Sequence, residues 1–374
     1  MAETSSRETT DLKIFIIFVS ATLFSGLLLE LSIGTFPFDM LKFPISLMLG
    51  IVILLLLFCG KSKLVSSLSR VNFTVVLLSA VGILTIAAGL IPNNRIVASW
   101  PFVLVYFLVL INLSSIIAVR IRKFKRGDLS FMIVHVGILL LLITMGLGFA
   151  DKEKYLMRVF YGDPEWRAEE KLSGKAAELD IAITLSDFRI EEYPPVVHVI
   201  DKNTGDFLIS GIENRCELIP GERLELGEYS VVPDSIVSRK LISTKAYITI
   251  FKGDKSLGKS VISCGNYFES PKTYTFMDST VLVMDMPQAK SYISDIIVYR
   301  KDKETIKGST SVNKPLSIGF WTIYQSGYDE VKGKDSDYSV FELVYDPWKS
   351  AVIGSVLILF LGCFMLIVGG RKNG

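Results

Sequence analysis

Reactive groups are scarce in this sequence, which has two histidines and four cysteines in 374 residues. It contains no G-x-S-x-G elbow, no phosphate-binding P-loop and no H-E-x-x-H pair. The sequence therefore does not indicate the function of a hydrolase, a kinase or a metalloprotease. There is also no C-x-x-C, no C-x-x-C-H and no cysteine cluster of the kind that binds zinc.

A large excess of one charge is also missing. The net charge is +2, and the basic residues are spread over short segments between apolar runs. Basic residues that bind phosphates are usually clustered on one surface, whereas this distribution is typical of a membrane topology signal. The sequence therefore gives no indication of nucleic-acid binding.

Long apolar runs are present, and they dominate the two ends of the chain. A helix needs about 20 apolar residues to cross the hydrocarbon core of a membrane. The first run is too long for a cleaved signal segment and lacks a small-x-small cleavage site, so we expect it to be retained. Six spans are predicted, of which the second is the shortest: 14–33, 43–59, 73–91, 100–119, 129–149 and 350–369.

The loops between these spans predict the orientation, because positive residues mark the cytoplasmic side. Two basic residues, Lys42 and Arg95, lie in the short loops expected outside. Trp100 and Trp348 fall at the outer ends of their helices, as interfacial aromatic residues do. The loops expected inside carry Arg7, Lys13, Lys61, Lys63, Arg70, Arg120, Arg122, Lys123, Lys125, Arg126, Arg371 and Lys372. The sequence thus predicts a multi-pass protein of the cytoplasmic (inner) membrane with both termini inside.

Between the fifth and sixth spans the hydrophobic period changes from helical to two. Apolar and polar residues alternate over 179–186, and short strand-like runs separated by turn residues follow up to 344. The segment 152–175 is predicted to be a connector or partly helical. We expect three regions: a membrane domain (1–149), an all-β domain on the outer (periplasmic) face (150–346), folded as an antiparallel sandwich or a barrel, and a final span with a cytoplasmic tail (347–374). Cys216 and Cys264 in the outer domain could form a disulfide.

His135 is the most informative single residue, because it lies inside the fifth span, where a titratable group is costly. Three roles remain open: a hydrogen bond across a helix interface, a haem or metal ligand, and a proton relay. Gly137 leaves space beside it, and Gly146 would allow close helix packing. His198 lies in a predicted strand, and we expect it to be an exposed or hydrogen-bonded strand residue. Glu30 is expected to reach the membrane interface.

The order of several short motifs resembles that of ResB-type (CcsB-like) cytochrome c biogenesis proteins of the system II pathway. The similarity begins near Ser69 and leaves the first two spans outside. The motifs are Gly89-Leu-Ile-Pro92, Asn112-Leu, the basic run 120–126, His135 with Gly137, Leu185-Ser-Asp-Phe-Arg-Ile-Glu-Glu-Tyr-Pro194, Ser311-Val-Asn-Lys-Pro-Leu316, Gly319-Phe-Trp-Thr-Ile-Tyr-Gln-Ser-Gly-Tyr-Asp329 and Asp346-Pro-Trp348.

The resemblance implies a function and partners. Proteins of this family act with a membrane protein that carries a tryptophan-rich WWD motif (CcsA-like) to move haem b outward and attach it to apocytochrome c. A thioredoxin-like thiol reductant is a further implied partner. His135 is implied to be a transient haem ligand, with the second axial ligand supplied by the partner.

This chain lacks one feature of the two-protein system, and the missing feature limits what the chain can do alone. Its four tryptophans are scattered along the sequence, so the WWD segment is missing. We therefore expect a subunit of a cytochrome c synthetase complex that is not catalytic by itself. The alternative is a cofactor-free scaffold whose β domain docks an extracytoplasmic partner. A secondary transporter is disfavoured because no paired, broken-helix repeat is present.

Overall fold

The computed structural model describes residues 2–59, 61–91, 96–214, 216–239, 242–301 and 304–370. Residues of the sequence analysis that lie outside this description are Pro92, Arg95, Arg371, Lys372 and the side chains of Arg7 and Arg126. The chain divides into two compact units. The helical unit comprises Met1–Lys152 and Asp346–Gly374, and the β unit comprises Glu153–Tyr345.

The helical unit is built from apolar α-helices. Over the described ranges these are α1 (Ala2–Ile33), α2 (Ile45–Leu55), α3 (Lys63–Leu68), α4 (Val71–Leu90), α5 (Trp100–Arg122), α6 (Leu129–Leu142) and α7 (Lys349–Gly370). A π-helical turn, Ile143–Leu147, and a 3-10 turn, Gly148–Asp151, continue α6.

Five of these helical segments, within the described residues, are long and apolar enough to cross a membrane: Thr10–Ile33, Val71–Leu90, Trp100–Arg122, Leu129–Asp151 and Lys349–Val368. They agree with five of the six predicted spans, namely the first span and the third to the sixth. The remaining predicted span, 43–59, is the shorter apolar helical segment Ile45–Cys59. At about 1.5 Å per residue this segment is shorter than the ~30 Å hydrocarbon core. Its crossing of the membrane stays a prediction.

Helices α6 and α7 pack closely because each presents a glycine to the other. A Cβ atom on Gly137 would lie 2.8 Å from the backbone of Leu359, and a Cβ on Gly362 would lie 2.6 Å from the backbone N of Val134. Small residues of this kind let two helix backbones approach in an apolar environment. Gly137 therefore serves helix packing, and it does not provide the space beside His135 that the sequence suggested.

Asp151 joins three segments of the helical unit. Its Oδ1 accepts a hydrogen bond from the backbone N–H of Phe43 (2.6 Å), and its Oδ2 accepts from the Ser46 hydroxyl (3.0 Å) and the Trp348 indole N–H (2.7 Å). The Trp348 ring also packs against Gly148, where a Cβ would lie 2.6 Å from its Cγ. Trp348, predicted as an interfacial aromatic, is thus also a hydrogen-bonded contact between the ends of α6 and α7.

Asp151→Asn is expected to destabilise the helical unit, because an amide presents one acceptor where the carboxylate serves three donors. We expect the free energy of unfolding to fall by about 1.5–3 kcal/mol for each charge-assisted hydrogen bond lost. The measurement is thermal unfolding of the detergent-solubilised protein. Asp39→Asn is the matched control, since the Asp39 side chain is 90% exposed and pairs with Lys42 at 3.2 Å. Equal stability of the two variants would refute the joining role of Asp151.

The β unit consists of antiparallel strands. In the described residues they are β1 (Glu153–Phe160), β2 (Pro164–Glu170), β3 (Ala176–Glu192), β4 (Val197–Asp201), β5 (Phe207–Ile209), β6 (Leu224–Leu226), β7 (Tyr229–Arg239), β8 (Ile242–Lys252), β9 (Lys255–Ser263), β10 (Tyr274–Thr275), β11 (Thr280–Met284), β12 (Ala289–Arg300), β13 (Ile306–Ser311), β14 (Leu316–Ile318), β15 (Trp321–Tyr328) and β16 (Tyr338–Tyr345).

These strands form three sheets around two cores. An eight-stranded sheet has the order β13-β12-β3-β2-β1-β16-β15-β14, and its core includes Met157, Phe188 and Phe341. Two four-stranded sheets, β10-β11-β4-β5 and β6-β7-β8-β9, enclose a second core that includes Leu218 and Ile248. The predicted all-β class of this region is confirmed.

The large sheet curls until its two edges meet. The edge strands in the pairing order are β13 and β14, yet the Thr310 hydroxyl on β13 donates to the carbonyl oxygen of Ile323 on β15, the neighbour of β14. Ser311 and Lys314 also form an isolated antiparallel bridge in the turn between β13 and β14. This closure corresponds to the barrel-like alternative of the sequence analysis and leaves little exposed edge.

The strand-like runs expected after 186 include three that pair with the next strand as antiparallel hairpins: β4 with β5, β8 with β9 and β12 with β13. The prediction for 152–175 is wrong, because this segment supplies β1 and β2. Met157 and Val159 point into the core while Arg158 between them is exposed. The alternation of a strand was therefore present in the sequence, but the charged residues of this segment made it resemble a connector.

Candidate functional site

His135 is half-buried on α6, about 9 Å along the helix axis from Leu129, the first residue of that helix. Its Nδ1 lies 2.8 Å from the carbonyl oxygen of Phe131, one turn earlier. A carbonyl oxygen can only accept, so Nδ1 is the donor, and in the neutral imidazole the lone pair is on Nε2. Within the described ranges no hydrogen bond to Nε2 is formed. The hydrogen bond of His135 thus stays within its own helix and does not cross a helix interface.

The imidazole of His135 is also held by aromatic stacking. The ring of Phe131 stacks on it, with centroids 3.7 Å apart and an interplanar angle of 28°. The guanidinium carbon of Arg120, at the end of α5, lies 5.2 Å from the Phe131 centroid on the same ring. A cation above an aromatic ring is attracted by the ring's quadrupole. Arg120, Phe131 and His135 therefore form one continuous contact series from α5 to α6.

A pocket of about 410 Å³ lies at the Arg120 end of this series; we call it the basic pocket. Its lining consists of Ser69, Ile116, Val119, Arg120, Lys123, Lys125, Asp128 and Phe131. Asp128 is the acidic residue of the lining, and its carboxylate accepts from the Arg120 guanidinium at 2.5 Å and from the backbone N–H of Lys125 at 3.0 Å. These bonds, the one from Arg120 first, hold the pKa of the Asp128 carboxyl below its usual range. The pocket is consequently cationic.

The residues that surround His135 were not predicted from the sequence. The basic run 120–126 was predicted to be a topology signal and a motif of the family resemblance, and no role was predicted for Phe131. The available signal was spacing, because a residue four positions before His135 must lie on the same face of the helix. Contact between Arg120 and Phe131 across two helices is a tertiary feature that one sequence does not reveal.

The chain matches the model of one protein family. A family model described as the ResB-like family matches residues 126–337, which is more than half of the chain. The chain belongs to the ResB-like family. This family agrees with the resemblance found in the sequence, and the matched range includes both His135 and most of the β unit.

Curated proteins and solved structures give no further assignment for this ResB-like protein. No curated protein matches it. Among solved structures, "Cytochrome c Heme Lyase CcmF" matches with a TM-score of 0.24 and 12% sequence identity, over 78% of this chain and 34% of that chain. The ResB-like chain thus spans about a third of that protein, and a TM-score of this size does not establish a shared fold.

His198 of this ResB-like protein is a buried, fully hydrogen-bonded residue of β4. Its Nδ1 accepts from the backbone N–H of Gly211 (3.0 Å), and its Nε2 donates to the Asp285 carboxylate (2.8 Å). Both ring nitrogens are therefore used for structure. This agrees with the expectation of a hydrogen-bonded strand residue.

The two cysteines of the β unit are free thiols in the structure, and their pairing stays a prediction. The Cys216 thiol is 3.9 Å from the carbonyl oxygen of Asn214, and the Cys264 thiol is 3.2 Å from that of Gly265. Burial raises the pKa of both thiols, which lowers the fraction of reactive thiolate.

Glu30 has a defined role within the helical unit. One of its carboxylate oxygens accepts a hydrogen bond from the backbone N–H of Trp100, at 2.9 Å. Trp100 is the first residue of α5, where backbone N–H groups lack helical partners and favour negative charge. Glu30 therefore stabilises the start of α5, and its position at the membrane interface stays a prediction.

Proposed function

We propose that this ResB-like protein is the haem-binding subunit of a system II cytochrome c synthetase, with His135 as an axial ligand for haem b. One observation carries the proposal: the Nδ1–H of His135 is engaged with Phe131, so Nε2 presents its lone pair. A metal-bound histidine commonly donates its other ring N–H to a carbonyl or carboxylate in this way, which fixes the tautomer and the ring orientation.

The residues around His135 fit a haem group. The imidazole is partly accessible and the stacked Phe131 contributes an apolar surface beside it. When bound, haem supplies an iron that takes an imidazole nitrogen as an axial ligand. His135 is the histidine of the described helical unit, so the second ligand comes from a WWD-motif (CcsA-like) membrane partner.

The distribution of basic residues supports a sidedness for the protein. In the predicted orientation the basic residues of the α5–α6 connection face the cytoplasm, and His135 lies in the half of the inner membrane that haem enters first. The β unit then lies on the periplasmic face. There it binds apocytochrome c, whose haem-binding cysteines a thioredoxin-like reductant keeps reduced. The raised pKa of both thiols and the fully bonded His198 of the β unit support a docking role for this unit.

The proposal is tested by purifying the chain with its WWD-motif partner in detergent and recording the Soret absorbance per complex. His135→Ala is expected to lower the bound haem by at least about tenfold, because metal sites lose affinity on this scale even when only a supporting group is removed. Val136→Ala, a neighbouring half-buried position on the same helix, is the matched control and is expected to retain haem.

A second readout separates a ligand from a residue that only maintains the fold. Added imidazole is expected to restore the Soret band of His135→Ala, since it supplies the missing nitrogen donor. If His135→Ala copurifies with as much haem as wild type does, the ligand role is wrong, and a cofactor-free scaffold becomes the better interpretation.

A further inference from the structure

The basic pocket has more cationic charge than its own carboxylate can neutralise. Arg120, Lys123 and Lys125 line it, and Asp128 pairs with Arg120. The side chains of Lys123 and Lys125 are exposed, and neither has a carboxylate within ion-pair distance among the residues that the structure describes. Two lysine ammonium groups are thus available to an anion.

These charges lie in a concave site and not on an even surface. Basic residues that only set membrane topology need no particular arrangement beyond their side of the membrane. Here they share a pocket of about 410 Å³ with the apolar residues Ile116, Val119 and Phe131. A ligand that has an apolar body and acidic groups matches both parts of this lining.

The pocket and His135 have one contact residue in common, Phe131. Phe131 belongs to the pocket lining and stacks on the imidazole at 3.7 Å between centroids. Phe131 and His135 are four residues apart on α6 and therefore lie on one face of the helix. An anion in the basic pocket would therefore lie against Phe131, the residue whose ring also contacts the imidazole of His135.

We infer that the basic pocket binds the carboxylate groups of the haem, the two propionates, with Lys123 and Lys125 as their principal partners. This inference rests on the proposed function of His135 and adds to it. Lys123 and Lys125 would hold these carboxylates at the α5–α6 connection. Ammonium–carboxylate hydrogen bonds of this kind are about twice as strong as neutral ones.

The test compares haem with its dimethyl ester, in which both carboxylates are blocked. Each is titrated into the haem-free complex with the WWD-motif partner, and the dissociation constant is obtained from the Soret change. Wild type is expected to bind haem about tenfold more tightly than the diester, since charge-assisted hydrogen bonds are lost in the ester. In the double variant Lys123→Gln/Lys125→Gln this preference is expected to fall to about twofold or less.

The control is the double variant Lys61→Gln/Lys63→Gln. It removes the same charge from exposed positions before and at the start of α3, on the same predicted side of the membrane. It is expected to retain the wild-type preference for haem over the diester. His135→Ala is expected to weaken both probes by a similar factor and to leave their ratio unchanged.

The outcomes separate this inference from the function on which it rests. If neither probe binds the wild-type complex, the proposed function fails. If both bind equally well, or if the Lys123→Gln/Lys125→Gln variant keeps the full preference, the propionate assignment is overturned while the role of His135 stands. Retention of phosphatidylglycerol by wild type but not by this variant in native mass spectrometry, with no preference for haem over the diester, would instead assign the pocket to a lipid phosphate.

Discussion

A leucine in place of Gly137 is expected to disrupt the α6–α7 pair and to leave little folded protein in the membrane. Even the Cβ of an alanine would lie 2.8 Å from the Leu359 backbone, so the helices must separate to accept any side chain. Overpacking of a well-packed core costs about 1–3 kcal/mol and more where the obstacle is backbone. We expect alanine to lower the free energy of unfolding within that range and leucine to exceed it.

The measurement is the yield of monodisperse protein on size-exclusion chromatography, followed by thermal unfolding in detergent. Gly82→Leu is the matched control, because Gly82 lies on α4 and a Cβ there meets nothing within 4 Å. Leucine at position 82 also has a higher helix propensity than glycine, so this variant is expected to be at least as stable as wild type. Similar losses at positions 82 and 137 would show that the close approach of α6 and α7 is unimportant.

Replacement of His198 by leucine is expected to destabilise the β unit by about 2–4 kcal/mol. The change leaves the backbone N–H of Gly211 without the acceptor it has in the structure and removes the bond to Asp285. A buried donor left unsatisfied costs about 1–3 kcal/mol, and the lost bond to a carboxylate adds to this. Water cannot easily replace the lost hydrogen bonds, since His198 is almost fully buried on β4.

Two amide variants separate the two hydrogen bonds of His198. Asparagine places an oxygen near the position of Nδ1 and is expected to keep the bond from Gly211, while glutamine places an N–H near Nε2 and keeps the bond to Asp285. The midpoint of urea unfolding, followed by limited proteolysis of the β unit, ranks the three variants. We expect leucine to be the least stable, and the ranking would be contradicted if it matched asparagine.

The membrane spans were the most predictable part of the fold, because their signal is local. Apolar length alone identified the long helices α1, α4, α5 and α7, and a period of two identified strands such as β3. Prediction failed for 152–175, where charged residues on the exposed faces of β1 and β2 obscured the buried alternation of Met157 and Val159. The strand order could not be predicted from the sequence, because it depends on long-range pairs such as β1 with β16, which lie at opposite ends of the β unit in the sequence.

The candidate site was predictable in its central residue and not in its surroundings. A histidine inside an apolar span is conspicuous from sequence alone, since burying a titratable group is costly. Its tautomer depends on whether Nδ1 or Nε2 meets the carbonyl of Phe131, which is a question of rotamer geometry. Likewise Asp151 and Glu30 resembled ordinary helix-end carboxylates, and only the packing of distant segments gives them Trp348 and Trp100 as partners.

The pairing of β1 with β16 has a consequence for how the membrane helices assemble. The two strands are in register from Glu153 opposite Tyr345 to Phe160 opposite Tyr338, so the first and last residues of the β unit lie opposite each other in the sheet. The entropy cost of closing a loop grows with the length of flexible chain inside it. Once the β unit has folded, α6 and α7 are therefore joined by what is effectively a short connection. The glycine-mediated contact between them then forms at the low entropic cost of a helical hairpin, although the two helices are far apart in the sequence.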